Sequence, residues 1–401
     1  MMSCRFCNNK GMHEILDLGH QPPSNSFLTK EQLREPEVHY PLKLFVCDKC
    51  WLVQIPETKK AQEIFTEDYA YYSSESPANV SHAKDYCEMM LKRFPKITTV
   101  MEIGSNDGYM LQWFKKAGCE VFGIDPAEGP AEIAHSKGID VECSFFTERL
   151  ASFFDERFDL ICGINVLNHQ PDINDFVSGL NIALAPGGYI TFEFPHLMHM
   201  VEKRQFDTIY HEHLNYYSLY TLDSIFIRHG LYIFDVDELP KHGGSLRIYA
   251  TKEKRAPSNK AKEIIGWEID YGIATLDYYK SFGRDVAITK NNIQRSIYSI
   301  CGAGKSVIAY GAAAKCSVLM NCCGFDKQNI SYVADKSPHK IGKYLPGSHI
   351  PVKDPETIRI TKPDYVLITA WNLQEEIMEQ LAYIKSWGGK FIIPLPDFKI
   401  I

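Results

Sequence analysis

The side chains best equipped for chemistry fall into three groups. Cys4 and Cys7 form one CxxC pair, and Cys47 and Cys50 form another. Each pair offers two thiolates from one tight turn. Two such turns facing each other make a closed tetrahedral four-sulfur site for zinc, a type that holds structure and leaves no position open for catalysis. The stretch between the pairs is longer than in a compact zinc ribbon. Four unrelated reduced thiols and an iron–sulfur cluster are the alternatives. A thioredoxin-like redox pair is disfavoured, because neither CxxC sits between a strand and a helix. The second group crowds PHLMHMVEKRQFDTIYHEHLNYYSL with His196, Tyr210, His211, Glu212, His213 and Tyr216. HEH opens like a zincin helix, but HExxH needs a histidine where Asn215 stands, so a metalloprotease is excluded. Histidines flanking a glutamate after a sheet strand suit proton transfer near neutral pH, with the carboxylate tuning the ring. Of these residues, His211 is expected to be scaffold.

The third group is a glycine loop. Glu102-Ile103-Gly104-Ser105-Asn106-Asp107-Gly108 follows an apolar strand and opens a helix. Its glycines let a ligand approach the backbone, and a helix N-terminus favours an anionic group. A dinucleotide fold would want GxGxxG. The loop reads better as the acidic-x-Gly-x-Gly-x-Gly loop of class I methyltransferases, with Asn106 in place of the middle glycine. The next strand, EVFGID, ends on Asp125, a carboxylate placed to accept both ribose hydroxyls of a nucleoside cofactor. Phe145, between Ser144 and Phe146, follows the third strand and would border the adenine. The fourth strand delivers Asn165 and His169 in NVLNHQPD. The cofactor expected is S-adenosylmethionine, held by Glu102, Gly104, Asn106, Gly108, Asp125, Phe145 and Asn165; a nicotinamide-binding domain is the alternative. GAGKS at 302–306 is no P-loop, since Ser299 stands where a glycine is needed and the stretch precedes its strand. Gly311-Ala312-Ala313-Ala314-Lys315 follows strand SVIAYG and opens a helix. Small residues there admit a phosphate or sugar, although tight strand–helix packing explains them equally well.

The elements that must position these groups alternate. TTVMEIG, EVFGID, DLICGI and YITFEF read as buried strands, and residues 109–117, 174–184 and 222–229 as helices, the pattern of a parallel sheet flanked by helices. Residues 258–300 read as a long helical linker. From SVIAYG onward a second, smaller alternation begins. At 401 residues the chain exceeds a single core, and we expect an α/β protein of three parts: a zinc-binding domain over 1–85, a methyltransferase domain over 86–255, and a helical linker with a Rossmann-like domain over 256–401. With 43 basic and 50 acidic side chains the net charge is −7, which gives a nucleic-acid partner no bulk support. The N-terminus lacks an apolar signal core, and no stretch reaches the ~20 apolar residues of a membrane helix, so a cytoplasmic protein without a membrane partner is expected. Twelve cysteines in a reducing compartment argue against disulfides.

Taken in order, CxxC…CxxC, EDYAYYSS, EIGSNDG, NVLNH, IYHEHLNYYSL, HGGSLR, GAAAK and DKSPHKIGKYLPG make a chain that resembles, over nearly its whole length, the sugar C-methyltransferases of deoxysugar biosynthesis. Those enzymes methylate C-3 of nucleotide-linked 4-keto sugars. IYHEHLNYYSL is the most specific of the motifs. The resemblance implies a structural zinc domain, a class I methyltransferase domain, and a C-terminal domain that helps hold the nucleotide-sugar, of dTDP or GDP type. It implies that the HEH segment carries the base, here His213, with Tyr210 and Glu212 beside it and His169 facing the site. It also implies that a tyrosine of YAYYSS, one of Tyr69, Tyr71 and Tyr72, reaches the sugar; His196 and Lys315 complete the expected substrate contacts. Oligomeric state stays open between monomer and homodimer. A nicotinamide-dependent nucleotide-sugar enzyme, a sugar O- or N-methyltransferase and a non-catalytic carbohydrate-binding protein are the competing functions.

Overall fold

The computed structural model describes residues 2–60, 63 and 71–401. Contacts divide the chain into two compact units, each assembled from three separate stretches. The first takes residues 1–12, 47–197 and 214–274; the second takes 13–46, 198–213 and 275–401. These limits do not follow the collinear divisions at 85 and 255: residues 198–213, which carry HEH, group with the C-terminal stretch.

Ahead of the first unit's main sheet lie β1 (Met12–Gln21), β2 (Tyr40–Cys47) and β3 (Val53–Gln54). The first unit is built on β4 (Thr99–Ile103), β5 (Glu120–Ile124), β6 (Asp140–Glu142), β7 (Phe158–Ile164) and β8 (Leu184–Pro195). After β9 (Asn215–Tyr216), which pairs with β3, come β10 (Tyr232–Leu239) and β11 (Ser245–Thr251). The seven-stranded sheet runs β10-β11-β8-β7-β4-β5-β6. Strands β4 to β8 are parallel, and β11 joins β8 antiparallel. Val100, Met101, Leu160, Ile161, Ile190 and Phe192 are fully buried, as a parallel sheet covered on both faces requires. The expected helices are present as Leu111–Lys116, Ile173–Ala183 and Leu219–Arg228. Asp172 caps the second by accepting from the N–H groups of Asn174 and Asp175, both at 3.0 Å. The strand order reverses between β4 and β7, so a crevice opens at the carboxyl ends of these strands, the usual ligand position in such sheets.

The second unit carries β12 (Val307–Tyr310), β13 (Val333–Ala334), β14 (Val352–Lys353), β15 (Tyr365–Ile368), β16 (Lys390–Ile393) and β17 (Lys399–Ile400), ordered β14-β13-β12-β15-β16-β17. All pairings are parallel except the last. This is the expected Rossmann-like arrangement. The stretch read as one helical linker is two helices, Asn259–Asp270 and Leu276–Gly302. The first stops where Gly272 takes φ 91°, the left-handed turn that commonly ends helices. Among the described residues, no helix is long and apolar enough to cross a membrane.

Candidate active site

Six of the expected cofactor and catalytic residues of the first unit line one pocket: Gly104, Asn106, Asp125, Phe145, Asn165 and His169. The cavity measures about 120 Å3 and opens to solvent. Asp125 follows β5 at the carboxyl edge of the sheet. Its Oδ2 accepts from the Asn106 N–H and its Oδ1 from the Ala127 N–H, each at 2.9 Å. Each oxygen keeps a lone pair for a ribose hydroxyl. Burial pushes this carboxyl up to about 6, against the pull of the two N–H groups. Two tests follow. Asp125→Ala should weaken S-adenosylhomocysteine binding by roughly 1–3 kcal/mol, measured by calorimetry; unchanged affinity would remove Asp125 from the site. In the wild type, the accepting carboxylate is lost as pH falls through about 6, so affinity should decline below that point and hold above it.

Asn106 has φ 49°, in the left-handed region where asparagine follows glycine in tolerance. That is why it can stand at a glycine position. Glu102 and Gly108, expected at the cofactor, lie outside the pocket lining. Glu102 is fully buried, and burial, then Asp125 and Asp107, hold its carboxyl well above the usual range. Gly108 takes φ 73°, a left-handed backbone that favours glycine, and a Cβ there would lie 3.3 Å from Ala134 Cβ. Asn165, at φ 57°, ends β7 and shares a 3.0 Å hydrogen bond with His242 Nε2. His242 belongs to the HGGSLR motif, and its contact with the pocket was invisible in the sequence. Ser73 also lines the pocket, from the segment quoted as YAYYSS. Tyr69 lies outside the described residues. Tyr71 is 49% exposed with its hydroxyl 3.4 Å from Asn79 Nδ2, and Tyr72 brings its hydroxyl beside Gly129; neither tyrosine lines the pocket.

His196 departs from expectation. It is buried, and its Nε2 lies 2.6 Å from Glu268 Oε1. The same carboxylate accepts from the Leu219 and Tyr220 N–H groups at 2.7 Å, fixing the start of the Leu219–Arg228 helix. His196 is therefore part of a helix-capping pair, and it does not line the pocket that holds Asp125. A sequence reading could not see a partner 72 residues away.

The HEH segment belongs to the second unit. His213 Nδ1 is 3.2 Å from the Thr208 carbonyl oxygen, which can only accept, so Nδ1 carries the proton of the neutral ring. Nε2 is then the lone-pair nitrogen, and Tyr210 O–H donates to it at 2.7 Å with the two rings 4.0 Å apart. Glu212 holds both carboxylate oxygens 2.9 Å from Asn25 Nδ2, a contact no motif announced. His211 packs edge-on against Tyr40. Lys315 Nζ donates to Asn372 Oδ1 at 2.8 Å and lies 4.7 Å from the centre of the Trp371 ring. Trp371 in turn donates to the fully buried Asp207 at 2.7 Å.

In the first unit, Cys4, Cys7, Cys47 and Cys50 place their sulfurs within 4.8 Å of one another. The pairs Cys4–Cys50 and Cys7–Cys47 are 3.5 and 3.6 Å apart. A tetrahedron with Zn–S of about 2.3 Å separates its sulfurs by about 3.8 Å, so the cysteines fit a closed structural zinc. Gln54 Nε2 and Asn9 Nδ2 donate to Cys4 and Cys47 sulfurs, support of the kind that thiolate ligands receive.

Glycine loop, strand-end carboxylate and sheet order together define a class I, S-adenosylmethionine-dependent methyltransferase with a structural zinc module. Comparison with known proteins takes this further. A zinc-binding-domain model matches residues 4–65, a methyltransferase-domain model residues 77–236, and a model described as C-methyltransferase C-terminal domain residues 240–396. C-methyltransferase NovU of Streptomyces niveus is 32% identical over 99% of this chain and 96% of its own length. The chain belongs to this family of C-methyltransferases. A ubiquinone biosynthesis O-methyltransferase of Pseudomonas entomophila (strain L48) is 31% identical over 23% of the chain and 42% of its own length. Among solved structures, a methyltransferase from Archaeoglobus fulgidus, 18% identical, covers 43% of this chain and 93% of its own, with a TM-score of 0.36.

Proposed function

We propose that this C-methyltransferase methylates the carbon next to the ketone, C-3, of a nucleotide-linked 4-keto-deoxysugar of dTDP or GDP type, with His213 as base. The observation that carries the reading is the His213 geometry: Nδ1 faces the Thr208 carbonyl oxygen at 3.2 Å, so a neutral ring keeps its lone pair on Nε2, which faces the Tyr210 hydroxyl at 2.7 Å. Carbon is a poor nucleophile until a proton leaves it, and a C-4 ketone acidifies the C-3 proton. Nε2 takes that proton, giving an enolate. Tyr210 O–H, turned from Nε2, donates to the enolate oxygen, with His169 the other candidate donor. Glu212, steadied by Asn25, orients the base or accepts from a sugar hydroxyl. Tyr71 or Tyr72 contacts the sugar, and Lys315 its phosphate. When bound, S-adenosylmethionine supplies an electrophilic methyl group, and the chain's task is to hold the carbon in line with it. The four thiols suit a reducing cytosolic setting, in which the protein works as a monomer or homodimer. Mass spectrometry of a panel of nucleotide-linked 4-keto-sugars with methyl-labelled S-adenosylmethionine tests this. Label on carbon of one keto-sugar is the expected result; label on the oxygen or nitrogen of a reduced sugar would replace the reading.

A further inference from the structure

The backbone of Asn106 does what a glycine would do there: it takes a positive φ and gives its N–H to Asp125. Its side chain does more. Oδ1 accepts from the Ser73 N–H at 2.7 Å, and Nδ2 donates to the Tyr71 carbonyl at 3.0 Å. One amide thus pairs with the donor and acceptor of the segment's main chain, as a neighbouring strand would. The next loop residue repeats the attachment. Asp107, fully buried, accepts through Oδ2 from the Ser74 hydroxyl and from the Ser74 N–H at 3.3 Å. Lys137 Nζ donates to the Asp107 carbonyl at 2.7 Å and stands 3.9 Å from its carboxylate, steadying the loop from the other side. Ser73, held this way, shares the pocket lining with Gly104, Asn106 and Asp125.

We propose that Asn106 is a positioning residue: it fastens residues 71–74 to the glycine loop as a wall of the methyl-donor pocket, and so couples donor binding to the placement of Tyr71 and Tyr72. The coupling rests on the donor pocket described above; the tyrosines' contact with sugar rests on the proposed function and is not needed for the test. A donor that touches both loop and wall binds the fastened pair better than the separated one. Thermodynamic reciprocity then requires that it protect the wall by the factor that the fastening adds to its affinity. A plain class I loop with glycine at this position has no such side chain.

S-adenosylhomocysteine is the probe, read by calorimetry and by hydrogen exchange of the Ser73 and Ser74 amides. In the wild type, bound S-adenosylhomocysteine should slow these amides about 10-fold or more. Asn106→Gly keeps the left-handed backbone and the N–H to Asp125, and removes only the fastening. It should exchange the Ser73 amide rapidly with or without the probe, whereas Ser74 keeps its Asp107 partner, and it should bind the probe about 10-fold more weakly. Ser73→Pro deletes the same hydrogen bond from the other side. Tyr72, at φ −118° and ψ 115°, already has the conformation that precedes proline, so this variant, which has no amide at 73 to follow, should reproduce the loss of affinity. A merely structural Asn106 would leave probe-dependent protection in place. Wild-type affinity in either variant, or wild-type protection of the Ser73 amide in Asn106→Gly, overturns the proposal. Failure of the wild type to bind the probe at all would instead remove the donor pocket on which the proposal stands.

Discussion

In His213→Asn, methyl transfer should fall by roughly 10²–10⁴-fold while S-adenosylhomocysteine binds as in the wild type. The range is the usual worth of a positioned base. Asparagine can keep a donor towards the Thr208 carbonyl but offers no nitrogen of suitable basicity in place of Nε2. The Tyr210 hydroxyl then loses the acceptor it now has at 2.7 Å. Isotope exchange gives a separate readout. In D2O with S-adenosylhomocysteine bound, wild-type enzyme should wash deuterium into C-3 of the keto-sugar, and His213→Asn should do so far more slowly. Tyr210→Phe separates the two roles: it keeps the base and removes the candidate enolate donor, so exchange should be slowed less than in His213→Asn. Full turnover in His213→Asn would move the base to Tyr210 or His169.

Loss of the zinc is expected to cost nearly as much, in stability instead of rate. Cys47→Ser should release zinc from a protein that otherwise carries about one ion per chain, measured by metal analysis. It should lower stability by about 4 kcal/mol, which for a unit of this size is a Tm drop of about 10 °C. The reason is placement. The Cys4 and Cys47 side chains are buried in the same apolar cluster as Phe6, Leu52, Leu219 and Leu222, so the metal-binding turns and the sheet's helices share one core. Thr221 Oγ1 also donates to the Cys50 carbonyl at 3.2 Å. A zinc-free protein that melts like the wild type would refute the structural role.

What the sequence revealed of the site is what neighbours in sequence can encode. The glycine loop, Asp125 and Asn165 each sit at the end of an apolar strand, and in a parallel sheet every strand end points to the same edge; reading the strands was enough to bring them together. The cysteine pairs were legible because two ligands came from each turn. The illegible contacts are those chosen by packing between distant stretches. Asn25 meets Glu212 across 187 positions, His196 meets Glu268 across 72, and His242 meets Asn165 across 77. No periodicity marks such partners, because a single hydrogen bond leaves no pattern in its own neighbourhood. Asn106 was read as a tolerated stand-in for glycine. Its backbone conformation could be inferred from residue type, whereas the partners of its amide could not. The helix break at Gly272 was missed because the apolar pattern continues on both sides of it.

The division of the chain into interleaved stretches bears on how the protein can be cut and how it is made. Each unit closes only when its third stretch has been synthesised, at residue 274 for one and 401 for the other. A ribosome that has released the glycine loop, the zinc ligands and the whole of β4 to β8 still holds an unfinished first unit, lacking β10 and β11. No single cleavage site yields either unit intact. A fragment ending near residue 255 would keep residues 13–46 and 198–213 without the 275–401 stretch they pack with, leaving Ile15, which lies against Gly283, and Phe206, whose turn packs on the Ala314–Cys322 helix, uncovered. Exchanging the second unit between relatives would therefore mean exchanging three stretches together.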